Sequence, residues 1–171
     1  MDSFSHDSVI HGVLLEVWGS GVLLTGKAGC GKSDCALELV VRGHKLIADD
    51  VVQITRHGPK IIGRAPERFA GLIELRGLGV VDIRELYPVG FKQEQQIDLC
   101  IEFHAATDDG EVCPEVELLG TRIPGYTIPF SGRRNTSLLV ETAALILNTG
   151  TASRQQAFFE IHDRLVAAAT E

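Results

Sequence analysis

Apolar positions along the chain follow two kinds of spacing. Through the first two-thirds they form short runs broken by glycine or charge: His11–Trp18 (HGVLLEVW), Gly21–Thr25 (GVLLT), Lys45–Ala48 (KLIA), Val51–Thr55 (VVQIT), Lys60–Gly63, Leu72–Leu75, Val80–Ile83 and Ile97–Phe103. Such runs have the length of strands, and Gly19-Ser20 and His57-Gly58-Pro59 are turn signals between neighbours. Val116–Leu119 reads as a further strand and Thr107–Gly110 as a loop, while Ile123–Phe130, with two prolines and a glycine, is expected to be extended and irregular. Helical spacing occurs in three places. Lys32–Arg42 carries Ala36, Leu37, Val40 and Val41 on one stripe, with Gly43 closing it. Asn135–Leu147 repeats the pattern, and Ser153–Ala168 combines an N-cap serine with a stripe of Phe158, Phe159, Ile161, Leu165 and Val166. The pattern predicts an α/β fold, a mainly β core with flanking and C-terminal helices.

The chain has 171 residues, which fits one domain over 1–171 with roughly residues 1–8 as an N-terminal tail. With 44% hydrophobic and 23% charged residues the composition is that of a globular protein. The net charge of −7 argues against a nucleic-acid partner, which calls for a basic face. The longest apolar runs, ALELVV and AALIL, fall well short of the ~18 residues of a membrane span. The opening MDSFSHDSVI has no basic segment leading into an apolar core, so no secretory leader is expected and the cytoplasm is the expected location. Cys30, Cys35, Cys100 and Cys113 include no C-x-x-C pair, which points to neither a zinc site nor a disulfide framework.

Candidate chemistry is concentrated in one segment. Gly26-Lys27-Ala28-Gly29-Cys30-Gly31-Lys32-Ser33 satisfies G-x-x-x-x-G-K-[ST], a coincidence expected in about one sequence in a hundred from average composition. It lies between the strand GVLLT and the helix KSDCALELVV, the placement that a phosphate cradle requires. Glycines let backbone N–H groups turn inward, and the helix N-terminus adds partial positive charge. Lys32 is expected at the mouth of the loop, reaching the β- and γ-phosphates of ATP, with the Ser33 hydroxyl on Mg²⁺. Asp49 and Asp50 end the apolar strand KLIA, a Walker-B arrangement. Successive strand residues face opposite ways, so the two carboxylates converge only where the strand ends or bends; one then sits near the metal and the other beside the attacking hydroxyl. Arg133 and Arg134 precede a helix and could grip phosphate. His11 and Glu74 have no special local context, although Arg76-Gly77-Leu78-Gly79 signals a tight turn after Glu74.

Taken together, HGVLLEVWGSGVLLTGKAGCGKSDCALELVVRGHKLIADDVV and the later ELRGLGVVDI resemble the catalytic C-terminal domain of bacterial HPr kinase/phosphorylase, in a short form, from about His11 to Arg134 and on into the C-terminal helices. The resemblance implies a P-loop fold of the phosphoenolpyruvate carboxykinase-like type and, by family habit, a hexamer. It implies an ATP- and Mg²⁺-dependent kinase that phosphorylates a serine of HPr, the phosphocarrier of the sugar phosphotransferase system. By resemblance, Gly26–Ser33 binds ATP, Asp50 is the proton acceptor with His11 acting beside it, and Ser33 and Glu74 are on the metal side, which leaves Asp49 of the Walker-B pair for the metal. The resemblance also marks departures. Where many members read IPVRPGRN this chain reads IPFSGRRN, so the catalytic arginine becomes Arg133 or Arg134. The MNYR-type segment tied to phosphorolysis becomes LILNTGTA, which favours kinase over phosphorylase action. Two other readings share the motif: a P-loop kinase of a small molecule, and a catalytically weak nucleotide-binding regulatory module.

Overall fold

A computed structural model of the chain describes residues 7–105, 115–130, 135–150 and 152–169, with side chains through 7–104, 115–130, 135–150 and 160–169. The central layer is a mixed six-stranded sheet in the order β11-β12-β10-β3-β2-β4. Its strands are β2 (Val13–Val17), β3 (Ser20–Gly26), β4 (Lys45–Ala48), β10 (Leu99–Ala105), β11 (Glu115–Leu118) and β12 (Thr121–Phe130). A four-stranded antiparallel sheet, β1 (Asp7–His11), β5 (Val51–His57), β6 (Lys60–Arg64) and β9 (Glu94–Gln96), covers one face. Helices α1 (Lys32–Val41) and α3 (Thr136–Thr149) cover the other. A two-stranded ribbon, β7 (Leu72–Leu75) and β8 (Gly79–Asp82), runs on into the short helix α2 (Ile83–Leu86), and α4 (Ala152–Ala169) ends the described chain. Among the described residues no helix is long and apolar enough to cross a membrane.

The burial explains why the central strands read as unbroken apolar runs. Val13, Leu15 and Val17 of β2 and Val22 and Leu24 of β3 pack with α1 and α3, whereas Leu14 and Leu23 join Ile47, Val52, Ile54 and Ile61 between the two sheets. Both faces of the sheet are covered at β2 and β3, so alternation with polar residues disappears there. The four-stranded sheet has one wet face, and there β5 alternates as a half-buried strand should.

Several boundaries differ from expectation, each for a physical reason. The run His11–Trp18 is two strands of different sheets, broken at Gly12, where a side chain would come within 2.6 Å of the Leu24 carbonyl. Pairing from Asp7 brings part of the expected N-terminal tail into β1. The segment 123–130 is regular strand despite its prolines. Among the described residues 121–124 pair with β11 and 125–130 with β10, so Pro124 and Pro129 each sit in a half whose ladder runs on one side, where a missing N–H costs little. The expected strand Ile97–Phe103 starts at Leu99, and the Val80 run stops at Asp82, which caps α2 by accepting from Arg84 N. Helix α4 begins before Ser153, so that serine is inside the first turn rather than at the cap. For α1, the expected Gly43 closure is present, with φ 104° and its N–H donating to Val40 O.

Two polar ties fix α3 along α1. At the N-terminal ends Ser137 Oγ donates to Cys35 Sγ at 3.7 Å, and burial pushes that thiol up to about 12. Farther along, Arg42 grips Glu141 with Nε at 2.9 Å and Nη2 at 2.5 Å, while His44 Nε2 lies 2.7 Å from Glu141 Oε1. The Arg42 hydrogen bonds hold the Glu141 carboxyl below the usual carboxylate range. The two helices therefore run in the same sense, and both N-termini face the end of the sheet where β3 stops.

Among the described glycines, Gly21 at the β3–β9 crossing leaves a side chain the least room. An alanine Cβ at Gly21 would fall 1.7 Å from Gln96 O, whereas one at Gly19 (φ 83°) meets nothing within 4 Å. Gly21→Ala is expected to lower unfolding free energy by about 3 kcal/mol, through forced backbone movement. Gly19→Ala should cost about 1–2 kcal/mol, from left-handed strain alone. Urea denaturation of both variants checks this, and equal costs would contradict the crossing.

Candidate functional site

The segment 26–33 leaves β3 and enters α1 as a turn of left-handed glycines, Gly26, Gly29 and Gly31, with φ of 134°, 79° and 86°. Two of these glycines are also required by space. A side chain on Gly26 would meet Phe103 O at 2.7 Å, and one on Gly31 would meet the Phe130 ring at 2.6 Å. The loop thus wraps between β10 and the end of β12, with the N-terminus of α1 behind it. Lys32 corrects the expectation of a lysine at the mouth. It is buried, and Nζ donates to Gly26 O at 2.8 Å and Lys27 O at 3.0 Å, with Cys30 Sγ at 3.5 Å. Its ammonium satisfies carbonyls that the left-handed turns direct inward, and so ties the loop across itself.

Asp49 and Asp50 divide in direction. Strand β4 stops at Ala48, and Asp50 takes φ 66°, the left-handed region that a non-glycine residue occupies only at a cost. Val51 N donates back to Asp49 O at 2.8 Å, closing a three-residue turn about Asp50. Asp49 turns inward and is buried. Its Oδ1 accepts from Ser33 Oγ at 2.8 Å and its Oδ2 from the backbone N–H of Glu74 at 3.0 Å. Asp50 stays exposed, held by its backbone carbonyl, which accepts from Gly12 N at 3.0 Å and His11 Nδ1 at 3.0 Å. The same Nδ1 lies 3.0 Å from Asp50 Oδ1. His11 therefore belongs to the end of β1, paired opposite Val51, and not to the strand preceding the loop.

Glu74 faces solvent on the ribbon directly opposite Val80, and cross-strand partners share a face. Together with Asp49, Asp50, Val51, Phe69, Leu72 and Ile73 these two line a cavity of about 190 Å³. The structure so brings together Gly26–Ser33, Asp49, Asp50, Glu74 and His11. Arg133 and Arg134 lie outside the described residues. One candidate escaped the sequence reading: Arg76, whose Nη2 would lie 3.3 Å from a methyl group built on Gly29. The signal available was the turn Arg76–Gly79 itself, but nothing local says that this turn reaches the glycine loop.

The donors present are hard oxygens, those of Ser33, Asp49, Asp50 and Glu74. Among the described residues no cluster of three or more His, Cys, Asp or Glu side chains is arranged to hold a metal alone. That combination suits Mg²⁺, which takes one or two carboxylates and completes its shell with water and phosphate oxygens. Loop, helix N-terminus and buried ammonium together suit a polyphosphate.

A family model described as the HPr Serine kinase C-terminal domain matches residues 2–165. Curated relatives named HPr kinase/phosphorylase include that of Alkaliphilus metalliredigens, 41% identical over 84% of this chain and 49% of that protein. The one from Clostridium botulinum is 33% identical over 99% of this chain and 58% of that protein. The chain spans about half the length of the curated relatives it matches. Among solved structures, that of the Hpr(Ser) kinase/phosphatase from Coxiella burnetii is similar with a TM-score of 0.75 and 27% identity, covering 91% of this chain and 97% of that one.

Burial raises the Asp49 carboxyl above its ordinary value, and the charges of Asp50 and Glu74 act the same way, against the two hydrogen bonds it accepts. A carboxyl with a raised folded value binds its proton more tightly in the native state, so stability falls as pH climbs from the unfolded value near ~3.9 through the raised one. Asp49→Asn lacks this titration. The Tm of the wild type minus that of Asp49→Asn, in buffer free of divalent metal, is therefore expected to be more favourable to the wild type at pH 4.5 than at pH 7.5. Thermal melts at the two values check it; the opposite trend would contradict the assigned burial.

Proposed function

The chain belongs to the HPr serine kinase C-terminal domain family, and from that premise we propose that it is an ATP- and Mg²⁺-dependent serine kinase whose acceptor is the phosphocarrier HPr. The observation that carries the reading is the opposed pair at the end of β4. Asp49 points inward to Ser33 at the start of α1, and Asp50 points outward into a cavity beside it.

In this reading the backbone N–H groups of Gly26–Ser33 hold the nucleotide phosphates, and Lys32, tied across the loop, adds a positive charge behind them. ATP with Mg²⁺ supplies the phosphoryl group and part of the neutralising charge. Ser33, Asp49 and Glu74 provide the metal's protein oxygens. Asp50 accepts the proton of the acceptor serine as its oxygen attacks. A raised proton affinity would nominate Asp49 as base, but both its oxygens are occupied and it is buried, whereas Asp50 is open to an incoming hydroxyl. Geometry takes precedence over proton affinity here. His11, with Nδ1 3.0 Å from both the carbonyl oxygen and Oδ1 of Asp50, keeps that carboxylate oriented.

Arg133 and Arg134 are assigned to the transferring phosphoryl group. The chain on either side of them supports this: Phe130 stands against Gly31, and Ser137 is bonded to Cys35 near the start of α1. Phosphorolysis has the weaker support. It must hold two phosphoryl anions close together, which demands more positive charge than transfer from ATP does. This chain has Ser131 where the pattern of the family it resembles has an arginine, and of Leu145–Asn148 only Asn148 is polar, its side chain spent on Ser20 and on Trp18 O.

The test is transfer of labelled phosphate from ATP to purified HPr. Asp50→Asn is expected to lower kcat by about 10²–10⁴-fold, with ATP affinity little changed. Lys32→Ala should abolish transfer and weaken ATP binding. The reverse reaction, from phosphoserine-HPr with millimolar phosphate, should be slow beside the forward one. Binding of ATP without transfer to HPr would sink the reading, and comparable rates in the two directions would sink its directional part.

A further inference from the structure

The ribbon β7–β8 carries more than Glu74. Leu78 at its tip is 78% exposed and Val80 beside it 64%, and Phe69, which lines the same cavity as Val80, is 52% exposed. Single exposed apolar residues are ordinary, but a group of them around one cavity is not. Nor is this exposure a frayed end. The other face of the ribbon is anchored by buried Ile73 and Leu75, and the tip is a closed turn in which Leu78 N donates to Leu75 O at 3.1 Å between Gly77 (φ 91°) and Gly79 (φ 82°). The fold therefore holds a leucine out in water at a fixed place, next to the cavity into which Asp50 opens.

Two features limit what this rim can receive. Three acidic residues, Asp49, Asp50 and Glu74, line the cavity of about 190 Å³. With Asp49 and Glu74 on the metal side, the Asp50 carboxylate is the charge left facing an acceptor, and it disfavours a phosphorylated or carboxylated small molecule. The apolar rim also continues past the cavity wall to Leu78, which does not line it, so an occupant that uses the whole rim is wider than the cavity. We infer that Phe69, Val80 and Leu78 form the acceptor-docking rim, which recognises a protein surface whose target serine is set among exposed apolar side chains. The inference rests on the kinase reading above and adds to it the chemistry by which the acceptor is chosen. Apolar contact at the rim would position the serine, while the carboxylate beneath it does the proton transfer.

The experiment compares wild type with Leu78→Ser, Val80→Thr and the double variant, using purified HPr as acceptor. ADP affinity is the control, since neither residue belongs to the loop 26–33. The expected result is a rise of tenfold or more in the KM for HPr in the double variant, with ADP affinity and melting temperature within error of wild type. Transfer to HPr by wild type and variants alike, with KM within twofold, would overturn the rim while leaving the kinase reading in place. No transfer to HPr by the wild type, with ADP still bound, would overturn the kinase reading and the rim with it.

Discussion

One buried carboxylate joins the parts of this site. Asp49 accepts from Ser33 at the start of α1 and from the backbone of Glu74 in the ribbon, while its own chain ends β4. A desolvated carboxylate is costly unless its oxygens are hydrogen-bonded, so the site holds together only where helix, sheet and ribbon all arrive. Since the Ser33 hydroxyl adjoins the glycine loop and Glu74 belongs to the ribbon, this residue also sets the distance between loop and ribbon.

The cost of that arrangement is carried by Asp50. With Asp49 turned inward, a continuing strand would send the next side chain to the opposite face of the sheet. A left-handed turn at Asp50 keeps it on the cavity instead, at about 1–2 kcal/mol for a residue with a β-carbon. Gly12 and His11 both donate to the Asp50 carbonyl and hold the turn. Strain of this kind persists only where the surrounding structure over-determines it. It also gives His11 a concrete task, one reached through the four-stranded sheet.

Much of this was legible in the sequence, and the rest was lost for identifiable reasons. The G-x-x-x-x-G-K-S segment with its flanking strand and helix is a local pattern, so loop, strand and α1 stand where the spacing puts them. The doubly buried strands β2 and β3 were readable as apolar runs. What was not readable depends on partners distant in the chain. The break at Gly12 exists because Leu24 O lies behind it, the regularity of 121–130 exists because its two halves pair on opposite sides, and Arg76 reaches Gly29 only through the ribbon's placement. Lys32 illustrates the same limit, because motif logic directs it toward phosphate while nearby loop carbonyls take up its ammonium. The division between Asp49 and Asp50 was foreseen as a need, but which one turns inward depends on Ser33 and Glu74.

That division is the central claim, and metal binding reads it directly. Mn²⁺, titrated against wild type, Asp49→Asn and Asp50→Asn in the presence of ADP and followed by electron paramagnetic resonance, separates a metal-side carboxylate from a substrate-side one. The account predicts that Asp49→Asn weakens Mn²⁺ binding tenfold or more, and that Asp50→Asn leaves it within twofold of wild type. Loss of Mn²⁺ binding in Asp50→Asn, with Asp49→Asn unaffected, would contradict it.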